Sequence, residues 1–139
     1  MINSFTGEYR FLSNFYGISI YFEGITYPSV EHAYQASKTL DTSERMTIAR
    51  CGTPGRAKRL GKLNPLRPRW NEKKLYIMLS LVRQKFNTNP LKGKLLLTGG
   101  ELLIEENTWN DTFWGTCNGV GQNHLGKILM KVREEFKVD

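Results

Sequence analysis

Three polar side chains share one face of a predicted helix near the start of the chain. Glu31, Gln35 and Lys38 stand at spacings i, i+4 and i+7, with Tyr34 beside them, so they lie on one stripe. A carboxylate held in a polar pocket can act as an acid, a base or an electrostatic stabiliser. A lysine shielded from water can attack the C1 carbon of a sugar. The spacing alone favours the other interpretation, a solvated stripe with a weak Glu–Lys pair.

A second candidate for chemistry is the segment of residues 105–115, EENTWNDTFWG. It places two tryptophans, one phenylalanine and three carboxylates in eleven residues. Loops that face only water seldom carry so many aromatic side chains. The glycines at 115, 119 and 121 allow the backbone to approach a ligand closely. The composition therefore predicts a binding site, and a Mg²⁺ site is the weaker alternative because no known metal-loop spacing is present.

The segment FLSNF, residues 11–15, places Ser13 and Asn14 between aromatic side chains, of which Phe15 is the last. Such a segment can clamp a flat ring and bind its hydrogen-bonding edge. The alternative is a turn formed by the serine and asparagine side chains and sealed by core aromatics. Taken alone, the segment favours the turn.

The net charge of +7 in this 139-residue chain is concentrated in its middle third. Residues 50–94 carry 13 basic side chains and one acidic side chain, whereas residues 1–49 carry 3 and 5, and residues 95–139 carry 4 and 7. Such a block attracts the phosphates of a nucleotide or a nucleic acid, or it forms a solvated face. Within it, TPGRAKR offers Arg56, Lys58 and free helix N–H groups to a phosphate. It is not a P-loop, because the required glycine–lysine spacing is missing.

The elements that must position these residues can be predicted from periodicity and capping residues. Alternating apolar residues in 18–27 predict a hairpin that turns at Glu23-Gly24, and ELLIE at 101–105 predicts a further strand. Helices are predicted from Ser29, Asp41 and Thr53, over about 69–86, after Asn89-Pro90, and from Asn123. The stripe expected to face inward on the long helix is Leu75, Met78, Leu79, Val82 and Phe86. We expect one compact, mostly helical α+β domain over residues 1–139 with a small antiparallel sheet.

Composition also limits the class of protein. No apolar run approaches the roughly 20 residues of a membrane span, and the first residues do not resemble a signal peptide. Cys51 and Cys117 form no metal-binding spacing, which predicts a cytoplasmic protein without a zinc site. His32 and His124 are expected to be structural. We expect no bound metal and no membrane partner, and the oligomeric state cannot be derived from the sequence.

Taken together, six segments resemble one family. FLSNFY, ITYPSVEHAYQASK, TPGRAKRLGK, RPRWNEKKLYIM, ENTWNDTFWG and the glycine-rich start of the last helix follow the order and spacing of the YbiA-like proteins, the NADAR superfamily, from about residue 11 to 136. The resemblance implies a small α+β fold and an N-glycosidase that needs no cofactor. Its implied substrates are phosphorylated ribosylaminopyrimidine intermediates of riboflavin synthesis, or ADP-ribose attached to guanine in nucleic acid.

The resemblance and the polar stripe together imply roles for individual residues. Glu31 is expected to do acid–base work, Asp111 to stabilise charge on the sugar or activate water, and Lys38 offers an alternative route through a Schiff base. The residues expected to bind substrate are Ser13, Asn14, Phe15, Tyr34, Gln35, Arg56, Lys58, Glu105 and Trp114. Two alternatives to an enzyme stay open here: a sensor that binds ADP-ribose or NAD without cleaving it, and a nucleic-acid-binding module.

Overall fold

A computed structural model describes residues 1–137 and divides the chain into two compact units. The middle unit, Asn14–Lys85, contains strands β1 (Gly17–Phe22) and β2 (Ile25–Ser29) and helices α1 (Val30–Ser37), α2 (Thr42–Ala49), α3 (Pro54–Gly61) and α4 (Trp70–Lys85). The terminal unit joins Met1–Ser13 to the residues from Phe86 onward. It contains a 3₁₀ helix (Gly7–Leu12), α5 (Leu91–Leu97), β3 (Glu106–Asn107), β4 (Thr116–Cys117) and α6 (His124–Lys137). Among residues 1–137, no helix combines the length and the apolar character needed to cross a membrane.

Strands β1 and β2 form the predicted antiparallel hairpin. Glu23 and Gly24 both have positive φ angles, 46° and 92°, as a two-residue turn between right-twisted strands requires. Ile20 pairs with Tyr27, and both side chains are buried. The predicted α+β fold, mostly helical with a small antiparallel sheet, is therefore confirmed. The extent of a single domain over residues 1–139 stays a prediction.

The first three helices begin where their capping residues predict. The side chains of Ser29, Asp41 and Thr53 accept hydrogen bonds from backbone N–H groups three residues ahead. Each cap satisfies one of the amides that a helix leaves without a partner at its N-terminus. These caps fix where α1 and α3 begin, and therefore where the candidate site residues on them lie along each helix.

The prediction was partly wrong about which face of α4 is buried. Met78, Val82 and, just beyond the helix, Phe86 are buried as expected, and Leu79 is partly buried. Leu75, however, is 39% exposed, while Ile77 and Leu81 take buried positions. The rotation follows from Trp70, which is buried at the start of α4. A large aromatic side chain buries more apolar area than a leucine, so the stripe that contains it faces the core.

The segment 101–105 was predicted as a strand and is not one. Ile2 donates to the carbonyl of Leu102 and accepts from the N–H of Ile104, which makes one isolated bridge opposite Leu103. A strand needs a neighbour of comparable length, and Ile2 supplies a single residue. The short parallel pair of β3 and β4 forms further along, between Glu106–Asn107 and Thr116–Cys117.

Lys85 at the end of α4 makes stability depend on pH. Its side chain is 1% exposed, and burial lowers the pKa of its ammonium group to about 7. Between pH 7 and about 10 the unfolded chain therefore binds more protons than the folded chain, so the free energy of unfolding rises with pH, by about 1.4 kcal/mol per unit at most. Below pH 7 both states are protonated and this contribution is constant.

We expect wild type to gain about 2 kcal/mol of stability relative to Lys85→Met between pH 7 and pH 9. Chemical denaturation of both proteins at the two pH values measures this difference, and the variant serves as the control because methionine cannot titrate. An unchanged difference between the two proteins would show that Lys85 stays charged in the folded state.

Candidate active site

The polar stripe of α1 is buried. Glu31 is 7% exposed and Gln35 is 3% exposed. The Gln35 Nε2 donates a 2.9 Å hydrogen bond to Glu31 Oε1. Within residues 1–137, the other amide atom, Gln35 Oε1, is buried and accepts no hydrogen bond. This placement excludes the solvated stripe that the spacing alone favoured.

Lys38 follows α1 and is half-buried beside this pair. Burial lowers the pKa of its ammonium group, the Glu31 carboxylate raises it, and the positive charges of Lys62, Lys58 and Lys74 lower it further. The net direction is downward, so a larger fraction of Lys38 is a neutral amine than in an exposed lysine. A neutral amine is the form that can act as a nucleophile.

Two aromatic rings and one arginine hold the end of α1. Lys38 Nζ lies 5.4 Å from the centroid of the Tyr34 ring, and that ring lies 5.4 Å from the Trp70 ring. The backbone N–H of Arg67 donates to the Lys38 carbonyl at 2.7 Å, and its guanidinium donates to the Ser37 carbonyl at 3.3 Å. The Tyr34 ring therefore lies beside the Lys38 side chain, as their positions on one stripe of the helix predicted.

Helix α3 brings the basic block to α1. Gly61, its last residue, lies so close to Gln35 that a Cβ at this position would overlap Gln35 Oε1. The charge of Lys58 acts on Lys38, whereas Arg56 lines an open cavity of about 460 Å³ together with Arg59 and Leu60. The two residues predicted to contact a phosphate thus lie in different surroundings.

The FLSNF segment divides between the two units. In the middle unit, the Asn14 carbonyl accepts from the N–H of Glu31 at 3.1 Å, and its side-chain amide lies 3.5 Å from Met78 Sδ. Asn14 therefore supports the first turn of α1. The neighbouring Phe15 is 37% exposed. In the terminal unit, Ser13 ends the 3₁₀ helix, and its N–H donates to the Arg10 carbonyl at 3.0 Å.

The terminal unit contains the second group of predicted residues. Asp111 Oδ1 accepts hydrogen bonds from the N–H groups of Phe113 and Trp114, at 3.1 and 3.0 Å. The side chain of Asn107 donates to Glu105 Oε2 at 3.0 Å and to the Asp111 carbonyl at 2.9 Å. Asn107 thereby joins the two acidic residues, and the carboxylate of Asp111 has one oxygen fixed by the backbone.

Trp114 belongs to a cluster of three rings. The Phe113 ring lies 4.9 Å from the Trp114 ring and 4.5 Å from the His124 ring, measured between centroids. Trp114 is half-buried, so part of the indole surface remains accessible. The adjacent Gly115 is buried against Glu105, whose side chain and carbonyl would both overlap a Cβ at position 115.

Three residues that shape the candidate sites were not identified from the sequence. Asn107 stands four residues before Asp111 and accepts from its N–H at 3.0 Å. Asparagine side chains often bond to backbone groups a few residues away, so this residue type within the segment was an available signal. Lys62 stands four residues after Lys58 along the chain and could have been grouped with it. Gly61 gave no signal in the sequence, because only its contact with Gln35 on α1 shows why this position must be glycine.

The middle unit therefore brings together Glu31, Tyr34, Gln35 and Lys38, and the terminal unit brings together a second set around Asp111. A buried carboxylate beside an amine of lowered pKa suits proton transfer and nucleophilic attack at a sugar carbon. The expectation that Glu31 and Asp111 act as a pair stays a prediction.

In the middle unit, the Cys51 carbonyl lies 3.0 Å from Nε2 of His32, as expected for a structural histidine.

Comparison with known proteins agrees with this chemistry. The NADAR domain family matches residues 3–137. The N-glycosidase YbiA of Shigella boydii is 37% identical over 139 residues, which cover 98% of this chain and 87% of that protein. A riboflavin biosynthesis protein of Vibrio vulnificus is 40% identical over 134 residues, which cover 94% of this chain and 36% of that longer protein.

The fold is similar to a solved structure as well. The NMR structure of the E. coli protein YbiA superimposes with a TM-score of 0.86 at 36% sequence identity, and the match covers 99% of this chain and 83% of that one. The resemblance predicted from the six sequence segments is confirmed, and so is the class of activity. This chain is a member of the NADAR family and an N-glycosidase.

Proposed function

We propose that this N-glycosidase hydrolyses the bond between C1 of a phosphorylated ribose and the amine nitrogen of a pyrimidine. The observation that carries the proposal is the buried Glu31 carboxylate, held by Gln35 and adjacent to Lys38. The name of the Vibrio vulnificus relative, a riboflavin biosynthesis protein, supports a ribosylaminopyrimidine as the substrate class.

In the proposed reaction the C1–N bond breaks and its electron pair leaves with the base. Positive charge then builds on C1 and on the ring oxygen, and a nearby carboxylate stabilises that charge. Glu31 gives a proton to the departing nitrogen and takes one from the water that adds to C1. The products are the free aminopyrimidine and the ribose phosphate.

Asp111 is proposed as the electrostatic stabiliser or the group that activates water. Its Oδ1 is occupied by two backbone N–H groups, while no hydrogen bond to Oδ2 is present in residues 1–137. Trp114 and Phe15 offer accessible aromatic surface for the base, and Lys58 and Arg56 are the proposed phosphate contacts. Ser13, Asn14, Tyr34 and Glu105 stay proposed substrate contacts.

The test is a product assay on two substrates. The protein is incubated with a 5′-phosphorylated ribosylaminopyrimidine and, separately, with DNA that carries ADP-ribose on guanine. The modified DNA is the second candidate substrate because the basic block of residues 50–94 attracts phosphates. Mass spectrometry follows the free base and the released sugar. Release from the pyrimidine riboside, lost in Asp111→Asn, supports the proposal. Release only from the modified DNA assigns the other substrate, and binding of ADP-ribose without release from either favours a sensor.

Lys38 offers a covalent route that a separate prediction tests. Its Nζ would bond to C1 as the base leaves, and the opened ribose would remain as an imine until water hydrolyses it. We expect borohydride added during turnover to reduce this imine and to leave the sugar phosphate on the peptide that contains Lys38. Mass spectrometry of digested protein measures the adduct, with Lys38→Arg as the control. Rapid turnover without any adduct would eliminate the covalent route and leave the direct attack of water.

A further inference from the structure

We infer that Gly61 and Gln35 are positioning residues for Glu31. Because Gly61 has no side chain, it leaves a space that the Gln35 amide occupies, and from there the amide holds the Glu31 carboxylate. This inference rests on the proposed role of Glu31 in the reaction. It also gives Gln35 a different role from the substrate contact that the sequence predicted.

The contact between Gly61 and Gln35 is close at three atoms. A Cβ built on Gly61 would overlap Gln35 Oε1, lie 2.9 Å from Gln35 Cδ and lie 3.0 Å from Gln35 Cβ. Gly61 has no left-handed φ angle and ends an ordinary helix, so its backbone would accept alanine. Alanine is also the better helix former by about 1 kcal/mol. The Gln35 side chain is therefore the feature that requires glycine at this position.

An added methyl group would act through the Gln35 amide. The end of a glutamine side chain moves more easily than a backbone, so the least costly relief is rotation about the Gln35 side-chain bonds, which moves Cδ and the whole amide away from position 61. Gln35 Oε1 accepts no hydrogen bond in residues 1–137 that would pull it back into place. The same amide donates from Nε2 to Glu31 Oε1 at 2.9 Å, so its rotation breaks the bond that orients the carboxylate.

The consequence should appear in the rate rather than in binding. Misplacement of a reacting group by about 1 Å can reduce the rate about a hundredfold. Neither Gly61 nor Gln35 touches the substrate in this scheme, so the KM for the riboside should stay constant while kcat falls. A merely structural glycine would instead lower the melting temperature without this division between kcat and KM.

The test is a double-mutant cycle on the full chain with the 5′-phosphorylated ribosylaminopyrimidine. We expect Gly61→Ala and Gln35→Ala each to lower kcat about tenfold to a hundredfold at constant KM, and the double variant to match Gln35→Ala alone. Gly52→Ala is the control in the same unit, because a Cβ there meets no atom within 4 Å and its φ angle is not in the left-handed region. Effects that multiply in the double variant, or a change confined to KM, would overturn the inference.

Two further measurements keep the test decisive. Gln35→Ala removes the two atoms that come closest to the added methyl group, Oε1 and Cδ, and leaves only the 3.0 Å contact with its own Cβ, which a shift of a few tenths of an ångström relieves. We therefore expect the double variant to fold even if Gly61→Ala alone does not, so that its kcat can be compared with that of Gln35→Ala. Glu31→Gln is assayed in parallel. Full turnover by Glu31→Gln rejects the proposed role of Glu31 and this inference with it. Loss of turnover there, with wild-type kcat in Gly61→Ala and Gln35→Ala, rejects the positioning role alone.

Discussion

Replacement of Glu31 by glutamine should reduce kcat about a thousandfold, within the range that a lost acid–base group commonly costs. Glutamine has nearly the same shape as glutamate and keeps an oxygen that can accept from Gln35 Nε2, so the hydrogen bond along α1 can persist. What the substitution removes is the negative charge and the capacity to carry a proton. We therefore expect little change in melting temperature together with the large loss of turnover.

The measurement is steady-state hydrolysis of a 5′-phosphorylated ribosylaminopyrimidine, with folding checked by thermal denaturation. Glu44→Gln is the matched control, since Glu44 is an exposed carboxylate on α2 in the same unit. It should behave as wild type. Comparable turnover by Glu31→Gln and Glu44→Gln would mean that another group supplies the proton, and the role proposed for Glu31 would have to be abandoned.

Replacement of Gly115 by alanine should destabilise the protein by about 3 kcal/mol, which lowers the melting temperature by about 10 °C in a chain of this size. The added Cβ would overlap both the side chain and the backbone carbonyl of Glu105. The carbonyl cannot rotate away as a side-chain end can, because it accepts a 2.9 Å hydrogen bond from the N–H of Thr116. The segment that carries Asp111 and Trp114 would have to shift, so we expect activity to fall as well.

Thermal denaturation followed by circular dichroism measures this effect. Gly100→Ala is the control in the same unit: a Cβ there meets no atom within 4 Å, and its φ angle is not in the left-handed region. The change in unfolding free energy for Gly100→Ala should stay within about 0.5 kcal/mol. Equal melting temperatures for Gly115→Ala and wild type would contradict the packing of Gly115 on Glu105.

The sequence by itself determined the starts of three helices, the hairpin turn and the family. Ser29, Asp41 and Thr53 mark the starts of three helices because a capping side chain bonds to an amide only three residues away. The turn at Glu23-Gly24 follows from the same short range. The order and spacing of the six motifs suffice to identify the NADAR family, and the same motifs select Glu31, Lys38 and Asp111 as candidate catalytic residues.

Only the tertiary structure decided which faces are buried and which neighbours meet. Spacing placed Glu31 and Gln35 on one stripe, yet it favoured a solvated stripe, because whether a helix face is covered depends on residues far along the chain. The same reason explains the partly wrong face of α4, which we attribute to Trp70, and the absent strand at 101–105, where Ile2 forms an isolated bridge opposite Leu103. It also explains why Gly61 was missed. The physical difference is the distance along the chain over which the interactions act. Caps and turns depend on hydrogen bonds within a few residues, whereas burial and close packing arise only when distant segments, such as α1 and α3, are brought together.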